Sequence, residues 1–399
     1  MKKIILFAFI NIIFIRNVQS QVTDPMIINW WFNTTGNTYN GILTDVDAVY
    51  YNTQYVYVHS SGVPNYYLDG QSVNNATDQD ATWQIPRVPQ AAGSPAGVMG
   101  GQTGLMLDGS VFFHPGDARS YQNAGVWNQL AYYFEGVDMD SSNGHSTPPM
   151  PTSMYHHHFD NLKLHNWDST VHSPIVGYAW DGYPLYGPFG YDQPNGTGGT
   201  RHMKSSYQKK TYITRTNGPN VGGMYPIGCY IEDWQYVAGS GDLDEHNGRF
   251  CVTPEYPAGT YAYFTTVDSL YNPYYPYFIG PTFYGSFTNT NLGPNGGSAT
   301  VPGSATLFDP LTNSVHEISA IEAGIELYPT PVRSDLNIRL KEKKTYLVFL
   351  YDLKGTLLEK RTIHSSAKID MSKMNYGVYF VEISDPDQNS GFVKRIVKQ

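Results

Sequence analysis

Two stretches of this chain repeat one another. Asp138-Met139-Asp140-Ser141-Ser142-Asn143-Gly144 and Asp242-Leu243-Asp244-Glu245-His246-Asn247-Gly248 both read D-x-D-x-x-N-G. An aromatic run follows each at a similar offset: Tyr155-His156-His157-His158-Phe159 after the first, Tyr261-Ala262-Tyr263-Phe264 after the second. Elements recurring in the same order are the signature of one structural unit used twice. Each copy is expected to continue into a Pro/Gly turn, Tyr183-Pro184-Leu185-Tyr186-Gly187-Pro188 in the first and Tyr275-Pro276-Tyr277-Phe278-Ile279-Gly280-Pro281 in the second. The second run has no histidine, so any chemistry carried by imidazole belongs to the first copy.

The region that contains the repeat, from Gln21 to about Gly297, reads as β. Tyr50-Tyr51-Asn52-Thr53-Gln54-Tyr55-Val56-Tyr57-Val58-His59 is rich in the aromatic and β-branched residues of strands. With 39 Gly, 26 Pro and 33 Tyr, the chain favours short strands joined by many turns over a helical bundle. Residues 21–297 are expected to form one β-rich domain. Residues 298–323 read as a linker, with a last strand near Ala305 to Phe308. Residues 324–399 read as a small β-sandwich built from Leu336–Leu340, Tyr346–Tyr351, Ala367–Asp370, Gly377–Ile383 and Phe392–Val397, with Asp352-Leu353-Lys354-Gly355 as a turn. Residues 1–20 read as a secretory signal peptide: Lys2 and Lys3, an apolar run from Ile4 to Ile15, then Val18-Gln19-Ser20 before the cut. No interior apolar run is long enough to span a bilayer.

Charge narrows the partners. Residues 21–323 hold 9 Lys+Arg against 25 Asp+Glu, whereas the tail is net basic. So acidic a body repels phosphate backbones, which argues against nucleic acid and is compatible with cations. The two cysteines, Cys229 and Cys251, are expected to form one disulfide in an exported chain, with two separate buried thiols as the alternative.

The histidines carry the sharpest chemical expectation. On a strand, successive side chains alternate between faces, so His156 and His158 share one face with Cα atoms roughly 6.5–7 Å apart. Tyr155 and His157 then share the other. Two imidazoles on a stiff element suit a transition metal, copper or zinc, and His145 or His172 is expected to complete the site. The plain alternatives are that the run decorates an exposed strand, or that its imidazoles hydrogen-bond to the abundant tyrosines. Asp181, Asp244, Glu245 and Tyr155 are candidates to orient a ligand or act as base. Asp181-Gly182 is equally a turn pair, and D-x-D-x-x-N-G equally a tight hydrogen-bonded loop. An EF-hand fails because Gly sits one position late and no Glu closes the loop, which leaves calcium only a site of another geometry. Tyr271, Tyr274, Tyr275 and Tyr277 either stack on sugar rings or fill the core. His316-Glu317-Ile318-Ser319-Ala320 starts like a zincin motif but lacks its second histidine, and no G-x-S-x-G elbow or phosphate-binding loop occurs.

Three segments together resemble the bacterial YHYH-domain family: Tyr155-His156-His157-His158, His172 to Pro184, and Leu243-Asp244-Glu245-His246-Asn247-Gly248-Arg249-Phe250. His157 stands where the signature has Tyr. The tail is similar to the type A sorting domain of type IX secretion in Bacteroidota, through Glu326-Leu327-Tyr328-Pro329-Thr330-Pro331, Val348 to Gly355, Tyr376-Gly377-Val378-Tyr379-Phe380 and Lys394-Arg395-Ile396-Val397-Lys398. That resemblance implies the type IX secretion machinery as partner, and a secreted or cell-surface destination. The expectation is an exported metal-binding protein. A metal-dependent secreted enzyme, oxidative or hydrolytic, and a glycan-binding or adhesion module are its rivals.

Overall fold

The computed structural model describes residues 22–34, 36–66, 74–98, 100–148, 153–287, 291–292, 296–310, 324–329, 331–341, 343–352, 357–385 and 390–398. The expected signal peptide, His316-Glu317 and the Leu353-Lys354-Gly355 part of the expected turn lie outside the described residues. The architecture of the described residues is mainly β, with short helical turns only. Among the described residues no helix is long and apolar enough to cross a membrane.

Residues 24–310 cluster into one compact unit. Its first sheet has four strands, β1 (Val46–Tyr51), β2 (Tyr55–Ser60), β3 (Ala81–Pro86) and β12 (Thr306–Phe308), in the order β12-β1-β2-β3. In β3 the alternation expected of a strand is plain: Ala81, Trp83 and Ile85 are buried and the residues between them are not. Because β12 pairs with β1, the compact unit takes in part of the expected linker.

The second sheet has eight strands: β4 (Gln102–Met106), β5 (Val111–Phe113), β6 (Gly144–Ser146), β7 (Tyr155–His157), β8 (Ile175–Ala179), β9 (Pro184–Tyr186), β10 (Gly248–Cys251) and β11 (Thr260–Phe264). Their order is β6-β7-β5-β4-β8-β9-β11-β10. Read outward from the central β4·β8 pair, the two halves are the same structure. In each, an antiparallel hairpin (β4·β5, β8·β9) is joined in parallel to the inner strand of a second hairpin (β6·β7, β10·β11). The register agrees residue for residue: His157 stands opposite Phe112 and Gly144, and Tyr263 opposite Leu185 and Gly248. Both first hairpins carry a bulge at the same place, before Gly104 and before Gly177.

This pairing corrects one expectation. Tyr183–Pro188 belongs to the first hairpin of the second copy rather than closing the first. Its counterpart is Ser110–Pro115, each following an Asp-Gly turn at Asp108-Gly109 or Asp181-Gly182.

The repeated D-x-D-x-x-N-G is a turn that launches the outer strand. Asp140 Oδ1 accepts from the amides of Ser142 (2.8 Å) and Gly144 (3.1 Å), and Asp244 Oδ1 from those of His246 (2.9 Å) and Gly248 (3.2 Å). Asn143 and Asn247 take the left-handed conformation (φ 66° and 67°), which Asn tolerates better than most residues. A phenol locks each turn: Tyr155 Oη donates to Asp140 Oδ2 (2.6 Å) and Tyr261 Oη to Asp244 Oδ1 (2.9 Å). Both carboxylates are thereby committed to amide and phenol donors.

The sheet interior is aromatic. Tyr178, Tyr186, Tyr261, Tyr263 and Tyr277 are almost fully buried, and Trp83 of the first sheet stacks on Trp180 at 5.2 Å. Tyr275 and Tyr277 lie in the core and only Tyr271 of the expected stacking cluster is well exposed, so that cluster is mostly packing.

The expected disulfide is not formed: Cys229 and Cys251 are both free and buried. Cys251 ends β10, opposite Thr260, whereas Cys229 lies in a separate loop against the guanidinium of Arg215. Burial pushes the Cys229 thiol up to about 12 and raises Cys251 as well.

The tail is a sandwich. β13 (Ile325–Tyr328), β14 (Asp335–Leu340) and β17 (Ala367–Asp370) form one sheet, and β15 (Tyr346–Asp352), β16 (Leu357–Ile363), β18 (Gly377–Asp385) and β19 (Ser390–Lys398) the other. Both contribute to one core, including Leu327, Leu336, Ile338, Val348, Leu350, Val381 and Ile396.

Candidate metal centre

The strand periodicity places His156 and His158 on one face of β7 and its extension, as the sequence requires. The β6·β7 register adds a third ring, because His145 is the direct cross-strand partner of His156. Their Nε2 atoms converge: His145 to His156 at 3.1 Å and His156 to His158 at 3.0 Å. Phe113 stacks on the His156 ring at 4.0 Å and meets His158 edge-on at 5.7 Å, fixing both planes. All three histidines are buried, and their ligand atoms lie within 4.8 Å of one another, a group that could hold a metal ion.

The other ring nitrogens decide what the Nε2 atoms offer. His156 Nδ1 donates to the carbonyl of Met154 (3.1 Å) and His158 Nδ1 to that of His114 (2.6 Å). A carbonyl only accepts, so in the neutral rings Nδ1 carries the proton and Nε2 keeps a lone pair. Two lone pairs then face each other at 3.0 Å. A cation between them, a proton or a metal ion, relieves that conflict. Burial, reinforced by the neighbouring imidazole of His158, pushes His145 down to about 4 and His156 well below the usual imidazole range. Neutral imidazoles are the form that binds metal.

A residue that no sequence motif marked also reaches the cluster. Glu135, just after the helical turn Ala131–Phe134, places Oε2 3.2 Å from His158 Nε2 and 3.7 Å from His145 Nε2. Burial acts to raise its carboxyl, but His158, His145 and Arg119 together hold it below the usual range. The Glu135 side chain is 28% exposed against 3% for His158, so solvent approaches from the glutamate side.

The remaining candidates lie elsewhere. His172 packs among Tyr186, Tyr191 and Phe264, its Nδ1 donating to the carbonyl of Ser173 (2.7 Å). That is the second copy's counterpart of the histidine face, where Arg249, Ala262 and Phe264 replace His145, His156 and His158. Asp181 accepts from Tyr263 Oη (2.7 Å) and the Gly285 amide (2.8 Å), and complete burial pushes it up to about 6. It is a core acceptor in the second copy. Asp244 is held in its turn, and the Glu245 side chain is 57% exposed, with Oε1 3.9 Å from His246 Nε2. Tyr155 and His157 face away from the triad, Tyr155 to Asp140 and Ser142, His157 to Asn161, whose Nδ2 donates to its Nε2 (3.2 Å). In the second copy Tyr263 fills the place of His157.

Residues 82–277 match the family described as YHYH protein, and residues 326–399 match the Secretion system C-terminal sorting domain. Among solved structures, the chain is similar to one from the structural and functional probing of PorZ, an essential bacterial surface component of the type-IX secretion system of Porphyromonas gingivalis. The identity is 11% and the TM-score 0.17, over 94% of this chain and 53% of that one, so this chain spans about half its length. No curated protein matches the chain.

Proposed function

We propose that this chain, which carries a YHYH domain and a type IX secretion sorting domain, is an exported metal-binding protein whose ion sits among His145, His156 and His158. The sorting domain marks the chain for export, to be secreted or held at the cell surface through recognition by the type IX machinery. Residues 1–20 would act as the signal peptide for the first membrane.

One observation carries the metal reading: buried Nε2 atoms meet at 3.0–3.1 Å, while the Nδ1 protons of His156 and His158 are committed to backbone carbonyls. Rings oriented through Nδ1 by a carbonyl, with Nε2 directed at a common point, are how proteins pre-set imidazole ligands. Imidazole donors suit zinc and copper. As an enzyme, the site would need a coordination position left for water or substrate, and the side towards Glu135 is where solvent reaches it.

Elemental analysis and zinc or copper titration of the purified chain test this, beside a His156→Ala/His158→Ala double variant. Stoichiometric metal in the native protein, lost in the variant, is expected. Equal metal content in the two proteins would sink the reading.

A further inference from the structure

We infer that Glu135 is the fourth ligand of this centre, and that a four-coordinate ion bound there is closed to water. The inference rests on the metal-binding reading and adds to it a residue and a consequence.

Geometry comes first. Zinc bonds of about 2.0–2.1 Å to nitrogen or oxygen place the corners of a tetrahedron roughly 3.3 Å apart. Four of the six edges among Glu135 Oε2 and the three Nε2 atoms measure 3.0, 3.1, 3.2 and 3.7 Å. Each of these donors thus has two neighbours near coordination-shell spacing, with the carboxylate nearer His158 than His145, and the three histidine donors span at most 4.8 Å.

Chemistry agrees. Glu135 Oε2 is buried and, while the His158 ring is neutral, accepts no hydrogen bond from any described donor, although a buried carboxylate oxygen is strongly disfavoured without one. The Nε2 atoms of His156 and His158 cannot donate to it in the neutral rings whose Nδ1 protons go to carbonyls. A metal ion satisfies this oxygen and the imidazole lone pairs together.

Charge supplies the third argument. Neutral imidazoles leave the full double charge of a divalent ion in a buried place, and the desolvation cost of an ion rises steeply with its charge. One carboxylate halves that net charge. The same donor set, hard oxygen with borderline nitrogen, favours divalent zinc or copper over monovalent copper, which prefers sulfur. With four protein donors in place, a tetrahedral ion has no corner left for a reactive water. The centre then holds or carries metal rather than hydrolysing with it.

The experiment uses the full chain with zinc for affinity and cobalt(II) as a spectroscopic stand-in, comparing native protein with Glu135→Gln, Glu135→Ala and the His156→Ala/His158→Ala variant. Thermal unfolding of each metal-free form checks that all are folded. The Glu135 variants are expected to lose about tenfold or more in zinc affinity. Azide should change the cobalt spectrum of Glu135→Ala, where a position has opened, and leave the native spectrum unchanged. Folded Glu135 variants with native affinity and spectrum overturn the inference while the histidine site stands. A native protein that binds no metal overturns both.

Discussion

The duplicated turn can be broken in either copy with one methyl group, and the two breaks should differ in only one respect. A Cβ on Gly144 would sit 2.3 Å from Tyr155 Oη, 2.5 Å from its Cζ and 2.7 Å from His157 Cε1. On Gly248 it would sit 2.4 Å from Tyr261 Oη and 2.5 Å from its Cζ. Neither glycine has a left-handed φ, so space alone forbids the side chain. The phenols cannot swing aside without leaving Asp140 or Asp244. Overpacking costs about 1–3 kcal/mol, and a lost hydrogen bond to a carboxylate about 1.5–3 kcal/mol. The two overlap because moving the ring relieves the clash, so about 3 kcal/mol is expected for Gly144→Ala and for Gly248→Ala alike. At roughly 2–4 °C per kcal/mol in a domain of this order of size, each should melt about 6–12 °C lower in the presence of chelator. Only Gly144→Ala pushes apart the strands that carry His145 and His156, so only it should weaken zinc binding by titration calorimetry. Native stability in either variant would refute the packing argument. Equal loss of zinc affinity in both would refute the assignment of the metal to the first copy.

Asp181 makes stability depend on pH. Its folded carboxyl is pushed up to about 6 by burial, above the ordinary value of 3.8, so between those values the folded protein holds a proton that the unfolded chain has released. Stability from this group is therefore greatest below about pH 4 and falls as pH rises through 6. Asp181→Asn should flatten that part of a denaturant-midpoint profile, and an unchanged slope would show that the carboxyl is ionised in the fold. The cysteines give a chemical test: denatured protein prepared without reductant should react with thiol reagent at both Cys229 and Cys251, native protein at neither, and reductant should leave the melting temperature unchanged.

How much of this was legible in the chain depended on what kind of constraint each residue answers to. Strand alternation put His156 and His158 together, and the repeated turn brought His145 to the same strand pair, because both are local rules with fixed periods. His172 shares with them its residue type and its nearness to the motifs, yet it packs on the other half of the sheet, against Tyr186 and Phe264. The sequence hides where the second copy begins, because Ser110–Pro115 and Tyr183–Pro188 share little beyond the preceding Asp-Gly and the closing Pro, and buried strands are marked by apolar runs rather than particular residues. Glu135 carried no signal, because a single glutamate after one helical turn reaches the site through tertiary packing. The spacing of Cys229 and Cys251 said nothing about which way their side chains point.

The central seam has a consequence of its own. β4 and β8 run antiparallel, Leu105 opposite Tyr178 and Met106 opposite Gly177, so the two halves meet through equivalent strands. Half of this sheet alone would be a four-stranded layer with a bare row of amides and carbonyls along β4, ready to capture another chain. What covers that row here is a rotated copy of the same half, as if a symmetric dimer had been written into one polypeptide. Linking the halves released them from identity: the outer hairpins could diverge, one keeping three imidazoles and the other Arg249, Ala262 and Phe264, without disturbing the strands that join them.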